Sequence, residues 1–362
     1  MISKHLPNFQ QALLDWFAEH QRPLPWRQHQ RPYEIWVSEI MLQQTQVRTM
    51  LPFYTRWMTE LPTIRSVADA PEEGVLKLWE GLGYYSRARN LRKAAQVICR
   101  EHGSEFPEDF EQIRALPGIG RYTAGAIASI AFNQPRPVVD GNVERVLCRI
   151  EGIAAPTKST PVQKQLWSLA TEWIPNGQAR GFNQGLMELG ATLCTPRNPS
   201  CLLCPANPWC AAFHEGRIEA IPAPRMRPEV TRIDKTTALV RKGGRWLVRK
   251  RPAGGLMGGL WEFPTWEEMP PEGSAEPWLA KQLQEDYGIT ARIGPELFQL
   301  EHGYTRFHAT LHCRLCTADE ALPFSATNAQ WLTLDEISAL ALPRVFQRLR
   351  QRLHDEPPVV EF

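Results

Sequence analysis

"LPGIGRYTAGAIASIAF", Leu116 to Phe132, decides the fold of the N-terminal part of this chain. It reads as the end of one helix, a tight turn through Pro117, Gly118, Ile119 and Gly120, and a second helix. Gly118 and Gly120 relieve the turn, because glycine accepts backbone angles that side chains resist. The N–H groups that open the second helix have no partner within it, so they can meet a phosphate. A helix-hairpin-helix of this kind holds a nucleic-acid backbone without needing basic residues. The same letters also suit an ordinary turn between packed helices, since G-x-G alone says little.

On both sides of the hairpin the apolar residues keep a helical period. Phe9, Leu13, Trp16 and Phe17 do so, as do Val162, Leu166, Leu169 and Trp173, then Phe182, Leu186, Leu189 and Leu193. Residues 8 to about 213 are therefore expected to be mostly helical. The text then changes to "GRIEAIPAPRMRPEVTRIDK", Gly216 to Lys235, rich in proline and arginine and without an apolar period. That predicts a linker. Beyond it the period becomes that of strands. "TTALV" and "RWLVRK" flank Gly243-Gly244 as in a hairpin, and Phe307, Ala309, Leu311, Cys313 and Leu315 alternate with polar residues as in a half-buried strand. A helix over Glu276 to Tyr287 would close at Gly288. A chain of 362 residues exceeds one ordinary core. The expectation is multidomain: an all-α domain over 1–215, a linker over 216–235 and an α+β domain over 236–362.

Composition narrows the class. With 43% hydrophobic and 22% charged residues the chain is that of a soluble globular protein, and no run is long enough to span a membrane. "MISKHLPNFQQALLDWF" lacks the apolar core of a signal peptide, so a cytoplasmic location is expected. The net charge of +2 means that nucleic-acid affinity would have to come from local patches. No segment identifies a protein partner, and a monomer is expected.

Four of the eight cysteines, Cys194, Cys201, Cys204 and Cys210, form the run C-x6-C-x2-C-x5-C among prolines. Thiolates in such a loop suit a soft metal centre, either a four-cysteine zinc site or a [4Fe–4S] cluster. The single C-x2-C knuckle with longer arms favours the cluster. Cys99 and Cys148 sit in helical patterns and read as core. Cys313 and Cys316 lie three apart on a strand, where they face opposite ways and cannot share an ion.

Two acids complete the pattern. Asp140, in "PVVDGNV", stands at a helix start, where an aspartate is commonly just an N-cap. Glu39, in "YEIWVSEIMLQQTQV", shares a largely apolar helical face with Ile35 and Trp36. A glutamate there is paired or kept protonated by desolvation; the plain alternative is a solvated face. A protonated Glu beside an ionised Asp is what cleavage of a glycosidic bond requires.

Together "MLQQTQV", "GLGYYSRARNL", "LPGIGRYTAG", "VVDGNVERV" and the cysteine run resemble an adenine DNA glycosylase of the MutY type, within the helix-hairpin-helix iron–sulfur DNA glycosylases. The resemblance is strong over about residues 20 to 212. It implies base excision repair: hydrolysis of the N-glycosidic bond of an adenine mispaired with 8-oxoguanine or guanine in double-stranded DNA, by base flipping. Glu39 would be the general acid toward N7 of adenine, Asp140 the anion facing the sugar cation, with Tyr122 and Asn142 hydrogen-bonded beside them. Trp26, Arg27, Leu42 and Gln184 would line the base pocket. Gln43, Gln44, Thr45, Tyr84, Gly118 and Gly120 would meet the DNA, Gln44 and Tyr84 as wedges. Arg87, Arg89, Arg92 and Lys93 would face phosphates. The four cysteines match those that hold the family's [4Fe–4S] cluster, in a loop over 194–210. Related lyases carry a lysine where this chain has Tyr122, which cannot form a Schiff base; the resemblance therefore implies a monofunctional glycosylase.

The C-terminal residues "GGLMGGLWEFP" and "LAKQLQEDYGI" look like a Nudix fold. Its metal-binding helix is incomplete, with Gln282 where a glutamate belongs and Glu285 and Asp286 retained. That points to a lesion-recognition module, not a hydrolase. Where the family reads the lesion with Phe-Ser-His, this chain has Tyr304-Thr305-Arg306, a change that puts 8-oxoguanine preference in question. The alternatives are a mispair glycosylase with altered lesion preference, a Nudix pyrophosphatase with a DNA-binding arm, and a non-catalytic iron–sulfur DNA-binding protein.

Overall fold

The periodic apolar residues of the N-terminal part fold as helices: α1 (Leu6–His20), α2 (Pro32–Leu42), α3 (Val47–Glu60), α4 (Ser86–Glu101), α5 (Phe110–Ala115), α6 (Arg121–Phe132), α7 (Gly141–Glu151), α8 (Thr160–Glu172) and α9 (Ala179–Thr192). The computed structural model describes residues 2–223, 229–271, 273–304, 307–318 and 327–358. By packing, the chain divides into one unit of Met1–Ala70 with Asn90–Met226 and a second of Pro71–Arg89 with Arg227–Phe362; the division runs through α4. Among the described residues no helix is long and apolar enough to cross a membrane.

In the first unit, α1, α7 and α9 share a core of Phe9, Leu13, Val143, Leu147, Phe182, Leu186 and Leu189. Helix α6 is buried from Thr123 to Ile130. Its small residues let other backbone come close. A Cβ on Gly125 would lie 2.3 Å from the Pro137 carbonyl oxygen, so the segment before α7 crosses α6 at a distance only glycine permits. That crossing delivers Val138, Val139 and then Asp140 to the start of α7.

The hairpin joins α5 to α6. Gly118 has φ +79° and sits so close to Asn90 that a Cβ there would fall 2.6 Å from the Asn90 Cβ. Gly120 differs from the expectation. Its φ of −89° is ordinary, and it caps α6 without a side-chain hydrogen bond. A Cβ there would meet nothing within 4 Å. The space beside it, at the start of α6, is open.

The second unit is a mixed sheet of β1 (Thr231–Lys242), β2 (Arg245–Lys250), β3 (Trp261–Glu262), β4 (Thr265–Trp266), β5 (Ala291–Tyr304), β6 (Phe307–Ala318) and β7 (Ala329–Leu332), with α10 (Ala275–Tyr287) and α11 (Arg344–Asp355). The order is β3-β2-β1-β6-β5, β1 and β6 running parallel and the other pairs antiparallel; β4 pairs β1 and β7 pairs β2. Gly243 and Gly244, at φ +51° and +78°, make the two-residue turn that pairs Lys242 with Arg245. Leu239 packs with α11 on one face, and Ala238 and Val240 pack with α10 on the other. Covered on both faces, β1 is buried from Lys235 to Val240. Strand β6 alternates from Ala309 to Leu315, as expected of a half-buried strand, until α10 also covers Cys316. Cys313 and Cys316 lie in the cores of opposite faces.

Three sequence expectations change. The stretch read as a linker over 216–235 is structured at both ends. Ile221 is buried in the first unit, where its carbonyl accepts from Arg149 Nε at 2.9 Å, and β1 begins at Thr231. The parallel pairing of β1 with β6 creates that early start, and no local pattern encodes it. Residues 71–89 pack with the second unit, not with 1–70: Lys77 Nζ donates to the Leu340 carbonyl at 3.0 Å, and Leu342 N donates to Glu80 Oε1 at 2.8 Å. The arginines assigned to phosphates also have partners in the fold. Arg87 donates to the carbonyls of Leu82 and Gly83, Arg89 to that of Gly258 and Arg92 to that of Ala70.

Candidate active site

The apolar face of α2 places Glu39 inside the first unit, 3% exposed. Tyr122, in the first turn of α6, donates its phenolic O–H to Glu39 Oε2 at 2.8 Å. The first residue after the hairpin turn's Arg121 thus reaches an acid eighty-three positions earlier in the chain. Asp140 is the N-cap of α7. Its Oδ1 accepts from the backbone N–H groups of Asn142 (2.9 Å) and Val143 (2.7 Å), and its Oδ2 from Asn142 Nδ2 (3.1 Å). The plain reading of Asp140 as a cap is correct, and it leaves the carboxylate fixed and held by three donors.

The two acids are supported unequally. Burial pushes Glu39 up to about 7; the charge of Asp140 adds to this, while the Tyr122 bond and the charge of Arg27 oppose it. Asp140 is also raised by burial, but its three hydrogen bonds and the nearby charge of Arg145 work against that. One donor opposes the effect of burial at Glu39 and three oppose it at Asp140, so Glu39 is the better placed of the two to keep a proton. Tyr122, buried and facing two carboxyls, is raised far above its usual range and stays a donor.

Arg145, three residues beyond Asn142, supports this arrangement from below. Its Nη2 donates to Asn142 Oδ1 at 2.9 Å and to the Gly190 carbonyl at 2.7 Å, and its Nε to the Cys194 carbonyl at 2.7 Å. Gly190 makes room for it: a Cβ there would stand 2.6 Å from the Asn142 Cβ and 3.0 Å from its backbone. Gly190→Ala is therefore expected to cost about 1–3 kcal/mol in a thermal melt, by overpacking. It should also slow the chemistry by moving Asn142 off Asp140.

Cys194, Cys201, Cys204 and Cys210 line one cavity together with Arg149, Asn207, Phe213 and Ile218. Arg149 Nη1 lies 3.4 Å from Cys194 Sγ. Four thiols around a common space, with a cation at its wall, can hold a thiolate-bound metal group.

The HhH-GPD superfamily base excision DNA repair protein family matches residues 37–172, and the NUDIX domain family matches residues 236–352. An adenine DNA glycosylase from Mus musculus is 36% identical over 401 residues, which cover 96% of this chain and 78% of that protein. The chain belongs to the adenine DNA glycosylase family. The Homo sapiens adenine DNA glycosylase is likewise 36% identical, over 97% of this chain and 74% of its own. The solved structure of a thermostable thymine-DNA glycosylase superposes with a TM-score of 0.54 at 29% identity, covering 59% of this chain and 98% of that one. The protein is thus an enzyme of base excision repair, a DNA glycosylase, with a Nudix domain that follows the helical domain along the chain.

The remaining residues named from the adenine glycosylase resemblance are placed as follows. Trp26 is buried edge-on against Tyr54 of α3, with centroids 5.0 Å apart. Leu42 is half-buried at the end of α2. Gln184 is almost wholly buried on α9 and donates to the Arg180 carbonyl at 3.2 Å. Gln43 Nε2 reaches Thr123 Oγ1 on α6 at 3.3 Å, and Thr45 closes the turn after α2 onto the Leu42 carbonyl at 3.1 Å. Gln44 and Tyr84 both have left-handed backbones, at φ +58° and +47°, and both are exposed. Strain of that kind persists where the surroundings impose it, commonly at ligand-meeting positions. Tyr304 ends β5 stacked on His302, with centroids 5.6 Å apart. Thr305 and Arg306 lie outside the described residues. On α10, Asp286 accepts from Trp266 Nε1 and Glu285 pairs with Lys281.

Sequence reading missed Arg22, Arg145, Glu188 and Gly190. A signal existed for two of them. Glu188 follows Gln184 by one helical turn, and Arg145 follows Asn142 by three residues, so each shares a face with a residue already singled out.

Proposed function

We propose that the enzyme removes adenine mispaired with 8-oxoguanine or guanine from double-stranded DNA, after flipping the base out of the helix. The observation that carries this is the asymmetric acid pair: a buried Glu39 that keeps its proton to about pH 7, beside an Asp140 held by three donors. Adenine is a poor leaving group until a ring nitrogen is protonated. Glu39 gives its proton to N7, the electron pair of the glycosidic bond passes into the base, and the sugar is left as an oxocarbenium ion facing the Asp140 carboxylate. Water completes the hydrolysis. Tyr122 and Asn142 hold the two acids in place; Trp26, Arg27, Leu42 and Gln184 surround the base, and the Gly118–Gly120 turn offers N–H groups to a phosphate. Extruding the base costs a few kcal/mol, which wedging by Gln44 and Tyr84 offsets.

The four cysteines hold a [4Fe–4S] cluster in this reading. Supporting it, the thiols ring one cavity, and the Arg149 guanidinium stands at its wall. Bound there, the cluster would supply cross-linking of the loop over 194–210; hydrolysis needs no redox step. The Nudix domain serves as the lesion reader, through Tyr304 and Thr305.

The test is single-turnover cleavage of duplexes carrying A opposite 8-oxoguanine, G or C, and of one carrying thymine glycol. Adenine opposite 8-oxoguanine should react fastest, thymine glycol not at all, and the product should be an abasic site in an uncut strand. Equal rates opposite 8-oxoguanine and guanine would remove the lesion-reader assignment. A borohydride-trapped adduct dependent on position 122 would remove the monofunctional one.

A further inference from the structure

Glu188 lies outside the acid pair, in a tightly held setting within the first unit. Its side chain is 1% exposed. A carboxylate buried so deeply is costly unless several donors reach it. Four do: Arg22 N at 3.1 Å, Arg22 Nε at 2.7 Å, Arg22 Nη2 at 2.8 Å and Arg27 Nη2 at 2.8 Å. Burial would raise its pKa, but the arginine bonds overcome this and hold it down at about 2. Glu188 is therefore a permanent anion.

Arg22 is the outer of the two cations, 37% exposed, and Arg27 the inner, 12% exposed. Arg27 is fixed from three sides. Besides Glu188, its Nη1 donates to the Arg22 carbonyl at 3.1 Å, and its guanidinium lies 5.4 Å from the Phe17 ring centroid. Fold stability alone does not call for such a device, since apolar side chains of similar volume serve as well or better. The charge of Arg27, however, acts on Glu39.

The groups that bear on Glu39 come from each element around α2. Tyr122 comes from α6, Asp140 from the start of α7 and Arg27 from the short helix Pro25–Gln28. Tyr54, on α3, stays neutral because burial raises its phenol. Only Arg27 among these is a cation, and a cation beside a carboxyl expels its proton. Two guanidiniums and one carboxylate leave a single net positive charge there; without Glu188 there would be two.

We infer that Glu188 is a positioning residue for catalysis, clasping Arg27 at the base pocket and neutralising enough of its charge for Glu39 to remain an acid. The inference rests on Glu39 as the proton donor. It assigns Glu188 no contact with the substrate; it acts through Arg27.

The test is the pH profile of single-turnover adenine excision by the full chain, from about pH 5 to 9, for the unaltered protein, Glu39→Gln, Glu188→Gln, Glu188→Asp and Arg27→Gln. Activity of the unaltered protein should fall on the alkaline side near pH 7, where Glu39 loses its proton. Glu188→Gln adds net positive charge and should move that fall to lower pH by roughly one unit. Arg27→Gln removes the cation and should move it to higher pH, while Glu188→Asp, keeping the charge, should leave it in place. A merely structural role would give no shift, or shifts in the same direction from both ends of the pair, and either result overturns the inference. Should Glu188→Gln fail to fold in a thermal melt, Arg27→Gln and Glu188→Asp decide the matter alone: the first must move the fall upward and the second must not. An alkaline fall that survives in the residual activity of Glu39→Gln would instead remove Glu39 as the acid, a separate failure.

Discussion

Glu39→Gln should abolish most adenine excision and, at pH 8, make the protein more stable. General acid catalysis contributes typically about 10²–10⁴-fold, so single-turnover rates should fall by that order. The stability gain follows from burial. Glu39 has its pKa raised from 4.5 to about 7 in the folded protein. A carboxyl bound more tightly to its proton when folded supports folding fully below the unfolded value, and that support is lost as pH rises through the folded value. At pH 8 the unaltered protein therefore carries a desolvated anion that glutamine does not. The shift corresponds to about 3 kcal/mol, and the melting temperature of the variant should exceed that of the unaltered protein by several degrees at pH 8 and by little at pH 4. Melts at the two pH values, run beside the excision assay, check both halves. A variant that loses activity without gaining stability at pH 8 would mean that ionising Glu39 costs the folded protein nothing, so that burial does not raise its proton affinity.

Asp140→Asn should separate chemistry from folding even more sharply. Asparagine caps a helix about as well as aspartate, so the N–H groups of Asn142 and Val143 keep an acceptor and the melting temperature should hardly move. In the proposed mechanism the anion that faces the sugar cation is then gone. Losing one preorganised electrostatic partner of a developing charge commonly costs about 10²–10³-fold, and here the partner carries a full charge, so about 10³-fold or more is expected. Asp140 also raises Glu39 by charge repulsion, so the alkaline fall of any residual activity should move to lower pH. A variant that remains folded yet retains near-normal excision would show that the carboxylate acts only as a cap.

Much of the fold was legible because it rests on local periods. The helical spacing of Phe9, Leu13 and Phe17, the glycine turn at Gly118 and the two-residue turn at Gly243-Gly244 each reflect a rule about neighbouring residues. The expectations that shifted depend on distant partners. Ile221 is ordered by Arg149, β1 starts early because β6 lies beside it, and residues 71–89 pack with a sheet that begins some 140 residues later. Gly120 shows a related limit: a glycine's letter does not say whether it supplies a torsion angle or leaves open space.

By itself the sequence determined two domains, helical and then mixed, the four-cysteine loop, and two acids of opposite surroundings, one on an apolar helix face and one at a helix start. What sets their proton affinities apart was decided by tertiary structure alone. Proton affinity depends on burial and on which donors and charges surround a carboxyl, and none of those partners is a sequence neighbour of Glu39. Tyr122 reaches it from another helix, and Arg27 bears on it while clasped by a Glu188 that sequence reading passed over.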